Sequence, residues 1–168
     1  MISEAPFFFS VAALSVTLAG FSGLVAALRR GDQLRTIDAF HLRGIAEVGL
    51  ANALIALITI PVATIAGDLQ TAARIGGAVV LAYVVFQIPV FAVRQRRMSV
   101  RVKVPQAIGA AAIDMAVIAV AVVTIVNRTV GAYELLMVLL LARPMWDFVL
   151  FLRDIAGPDA PSGNKRPT

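Results

Sequence analysis

Asp114, Arg143 and Asp147 each stand inside a long apolar run, where a charge needs an explanation. Arg143 and Asp147 belong to GAYELLMVLLLARPMWDFVLFL, residues 131–152, and are one helical turn apart. Asp114 is the single charge between Gln106 and Val126. An ionised Arg or Asp at the centre of a membrane helix costs roughly 2.5–3.5 kcal/mol on insertion scales, and pairing is the usual way that cost is met. Such a cluster can lock helices together, border an aqueous path where an acid gains and loses a proton, or attract an anion. Pro144 adds a second feature. It cannot donate to the carbonyl of Leu140, and a freed carbonyl serves as a polar ligand or a hinge.

Other candidates are weaker. Glu47 follows Arg43 by four residues, so it forms either an i,i+4 pair at a membrane boundary or a contact with a basic group on another helix. Asn52 and Thr59 share a small, mildly polar face with Gly49, Ala56, Ala63 and Ala66. His41 is the only histidine, and its expected place is at an interface, solvated or capping. Enzyme chemistry is not expected. GxSxG, HExxH and a phosphate-binding glycine loop are all missing, cysteine is absent, and one histidine makes no His-rich metal site. Asp114 and Asp147 resemble an acid dyad only in type, since an arginine between them keeps both ionised. The GxGD signature of intramembrane proteases fails too, because Gly67-Asp68 follows Ile65-Ala66. No cofactor or metal is implied.

The elements that must hold these residues are legible from hydropathy. Of 168 residues, 60% are hydrophobic and 15% charged, with a mean hydropathy of +0.87. Soluble domains average about 45–50% apolar and about 25% charged. Continuous apolar runs without period-2 alternation exclude a β-barrel wall. The fold class is all-α, a polytopic membrane bundle of five transmembrane helices over residues 1–155, followed by a disordered tail, 156–168. The spans are 6–28, 44–66, 73–93, 106–126 and 131–152. No basic region precedes the first, so it reads as a retained helix. Ser15, Ala19, Gly23 and Ala27 form one narrow face on it for close helix packing. Residues 29–43 read as a short amphipathic surface helix, 67–72 as a tight polar turn, and Tyr133 as an interfacial anchor.

Charge sets the orientation. Of 15 Lys and Arg residues, Arg74 and Arg128 fall on one side, Arg143 falls within a span, and the other twelve fall on the opposite side. The positive-inside rule then puts the N-terminus outside and the C-terminus in the cytoplasm. This asymmetry, with the net charge of +5, assigns the basic residues to topology; no basic face with interleaved aromatics suggests nucleic acid. Arg outnumbers Lys 13 to 2, as in GC-rich bacteria, pointing to a bacterial inner membrane. At a rise of about 1.5 Å per residue, Asp114 and Arg143 both lie roughly 12–14 Å from the inner boundary. The turn of a few residues between their helices makes those helices antiparallel neighbours, so an Asp114–Arg143–Asp147 cluster is available. A bundle this small leaves little room for a cavity of its own. The expected function is therefore a homo-oligomeric channel or transporter for a proton or small ion, using Asp114, Arg143 and Asp147, with Glu47, Asn52 and Thr59 as lesser candidates. The alternative is a membrane scaffold whose charges serve assembly.

Overall fold

The computed structural model describes residues 4–28, 36–97 and 104–156. The tail from Gly157, the Arg-Gly-Asp at 30–32 and the basic stretch 98–103 lie outside the described residues. What is described is all-helical: α1 (Ala5–Leu28), α2 (Thr36–Ala66), α3 (Leu69–Arg97), α4 (Val104–Asn127) and α5 (Val130–Ala156). All five are long and apolar enough to cross a membrane. This is the helix inventory of a multi-pass membrane protein.

Two boundaries differ from expectation. There is no separate surface helix at 36–43; these residues are the first two turns of α2, which runs unbroken for 31 residues. The reason is packing: Asp38, Phe40 and His41 are buried, and the Phe40 ring packs at a tilt against Phe91 of α3, centroids 4.8 Å apart. The α2–α3 connection is also tighter than 67–72. Gly67 has φ +79°, its N–H closes on the Ala63 carbonyl at 3.0 Å, and Asp68 caps α3 by accepting the Thr71 amide at 2.6 Å. Accepting hydrogen bonds from the Thr71 amide and hydroxyl holds the Asp68 carboxyl below its ordinary range.

The bundle has an apolar core, yet large apolar side chains also cover its surface and several small polar ones lie inside. Phe9, Leu14, Phe21, Leu50, Leu54, Ile65 and Phe86 are exposed, while Ser15, Ser22, Asn52, Thr59 and Thr124 are buried. Ser15, Thr59 and Thr124 stay satisfied by donating to the carbonyl four residues back, at 2.7, 2.8 and 2.8 Å. The small face of α1 is used within the chain. Ser15 and Ala19 pack on Gly49 of α2, while Gly23 and Ala27 are exposed. A Cβ at Gly49 would lie 2.9 Å from the Ser15 carbonyl oxygen, so glycine is what permits that helix spacing. Tyr133, expected as an interfacial anchor, turns its ring into the bundle. It is fully buried, its hydroxyl 2.7 Å from that of Thr59, and its ring occupies the space a side chain at Gly76 would need.

Helix α5 contacts each of the other four, whereas α2 and α4 do not approach one another. The space between α2 and α4, walled by α3 and α5, is left open. Gly49→Val is expected to lower stability by about 1–3 kcal/mol through overpacking against backbone. Gly20→Ala, whose Cβ would meet nothing within 4 Å, should stay within about 0.5 kcal/mol. Unfolding of both variants in mixed detergent micelles checks the contrast.

A charged cavity among four helices

The open space is a cavity of about 240 Å³. So small a bundle was expected to leave little room for one; the room arises because α2 and α4 are held apart. Its ionisable side chains include Glu47 and His41 from α2, Arg94 from α3, Asp114 from α4, and Arg143 and Asp147 from α5.

Asp114, Arg143 and Asp147 do converge. Arg143 donates to the Asp114 carboxylate at 3.4 Å, and its Nε lies 3.6 Å from Asp147 Oδ2, the i,i+4 partner. Both contacts are long, and one guanidinium is divided between two acids. The guanidinium also lies over the ring of Phe91, its carbon 5.5 Å from the centroid. Helix α2 comes close to this group at Gly44, where Asp147 Oδ2 lies 3.5 Å from the position a Cβ would take, an ordinary contact distance. α5 runs through Pro144 without interruption, so Leu140, which lines the cavity, loses its in-helix donor.

His41 is the member that sequence reasoning missed. It is buried, with Nδ1 3.7 Å from Asp147 Oδ1, and its Nε2 has no hydrogen-bond partner among the described residues. The available signal was spacing. His41, Gly44 and Val48 recur at i, i+3 and i+7 and all line the cavity once α2 begins at Thr36.

Glu47 satisfies both of its alternatives at once. Arg43 Nε donates to Oε1 at 2.6 Å, while Arg94 donates from Nη1 to Oε2 at 2.6 Å and from Nη2 to Oε1 at 3.2 Å. The two-pronged Arg94 contact is the stronger geometry. Asn52 and Thr59 do not line the cavity. Asn52 donates to Ser15 in the α1–α2 seam at 3.0 Å, and Thr59 meets Tyr133. Their shared face points toward α1 and the far end of α5. Among the described residues, no group of three or more metal-ligating side chains forms.

No family model, curated protein or solved structure matches this chain. Function therefore has to be argued from the cavity itself.

Glu47→Gln should lower stability by about 1–2 kcal/mol, since Arg94 loses an acceptor at a partly buried site. Arg43 is 63% exposed, so Arg43→Gln should change it by no more than about 0.5 kcal/mol. Chemical unfolding of the two variants against the parent protein reads the difference.

Proposed function

We propose that the chain is a small transport protein of a bacterial inner membrane that passes a proton or another small ion through the cavity between α2 and α4. One observation carries the reading: charges from α4 and α5 meet buried His41 of α2 on the wall of a single cavity. Charged groups held mid-helix in a spanning bundle pair or line a watery space, and here they pair on the wall of a cavity. In this reading the N-terminus is outside and the C-terminus cytoplasmic, following the basic residues. Because one chain supplies every wall of the cavity, each protomer of a homo-oligomer would carry its own path.

A second reading has its own support. The ion pairs link α2 to α3 through Glu47–Arg94 and α4 to α5 through Asp114–Arg143. A scaffold whose charges only fasten helices would need the same pairs.

Flux measurements separate the two. Purified protein in liposomes should dissipate an imposed proton or cation gradient, and the Asp114→Asn, Arg143→Gln double variant should fall to the level of protein-free liposomes. Gradients unaffected by the parent protein would favour the scaffold, and flux unchanged in a folded double variant would remove Asp114 and Arg143 from the path.

A further inference from the structure

The two charge groups on the cavity wall differ in what they leave unused. Glu47 is saturated, with three donated hydrogen bonds from Arg43 and Arg94 on its two oxygens. The group around Asp114 is not. One guanidinium serves two carboxylates there, at 3.4 and 3.6 Å. Asp114, Arg143 and Asp147 together sum to one negative charge.

Acceptors are in surplus as well. An ionised carboxylate offers about four lone-pair sites, and Arg143 touches one oxygen of each acid. His41 turns Nδ1 toward Asp147, and with the proton on that nitrogen Nε2 bears a lone pair. His41 is 4% exposed and that Nε2 has no partner among the described residues. What the site lacks is one positive charge and N–H donors. Much of the remaining wall is apolar, including Val84, Ile88, Val117 and Leu140. A cavity of about 150 Å³ suffices to hold benzene, and this one is about 240 Å³. An anion fits poorly, because Arg143 is already shared by two acids. A proton alone would balance the charge but would leave the apolar volume unfilled.

We infer that the cavity binds a monovalent organic cation with a primary ammonium head and a compact apolar body, the ammonium donating to Asp114, Asp147 and His41 Nε2. This names the small ion of the transport reading and rests on it for its role.

Calorimetric titration of the full chain in nanodiscs of phosphatidylcholine and phosphatidylglycerol tests it with benzylammonium, benzyltrimethylammonium and benzoate. Benzylammonium should bind. The trimethyl analogue has no N–H to donate and should bind weaker by about tenfold or more, the worth of a hydrogen bond to a charged group. Benzoate should not bind. Asp114→Asn should weaken benzylammonium by a similar factor. Ala110→Leu, which fills a wall of the cavity and leaves every charge in place, should abolish binding and carries the test if the Asn variant does not fold. Preference for benzoate, no binding of benzylammonium, or binding indifferent to both variants would overturn the inference. Loss of binding on exchanging phosphatidylcholine for phosphatidylethanolamine would also overturn it, in favour of a lipid headgroup. Proton flux without ammonium binding defeats this inference and leaves the transport reading standing; binding without flux does the reverse.

Discussion

The arrangement depends on the free energy of placing charge in the middle of apolar helices. A carboxylate or guanidinium that faces hydrocarbon alone is heavily penalised, and one that meets its opposite in a shared space is not. Helices α4 and α5 each carry such charges, and a two-residue connection at Arg128 and Thr129 keeps them side by side. That proximity brings Asp114 and Arg143 to one level. Asp147 follows because it stands one turn along the same stripe of α5.

Packing then determines where this charged level opens. Glycine lets α1 press on α2 at Gly49, and a similar lack of side chain lets Tyr133 lie against Gly76. Those close approaches draw α1, α2, α3 and the first half of α5 together around Phe8, Tyr133, Leu136 and Met137. No comparable contact joins α2 to α4. The bundle is tight along one side and open along the other, and the open side is where the charges are. The same geometry supplies both a fastening between helices and a lined space, so the pairs can be structural without the cavity being idle.

Much of this was legible in the sequence, for physical reasons. Five apolar runs of membrane length mark the helices, and depth plus a short turn predicts the Asp114–Arg143 pairing. What was illegible depended on where α2 begins. Residues 36–43 carry alternating charges and look like a surface segment, yet Phe40 and His41 are drawn inward by Phe91 and Asp147. A polar composition does not reveal that the partners are waiting on other helices. Arg94 was hidden similarly, as one basic residue in a stretch that topology already explained. Asn52 and Thr59 were placed with the charges because they are polar and mid-helix. Hydrogen bonds to Ser15 and Tyr133 assign them instead to seams between helices.

The central claim is that Asp114 and Arg143 stabilise each other across α4 and α5 and do not each answer to lipid or water alone. A double-mutant cycle tests this most directly, with unfolding free energies in mixed micelles for the parent, Asp114→Asn, Arg143→Gln and the pair. Coupling of about 0.5–3 kcal/mol is predicted. Effects that add within about 0.3–0.5 kcal/mol would contradict the account.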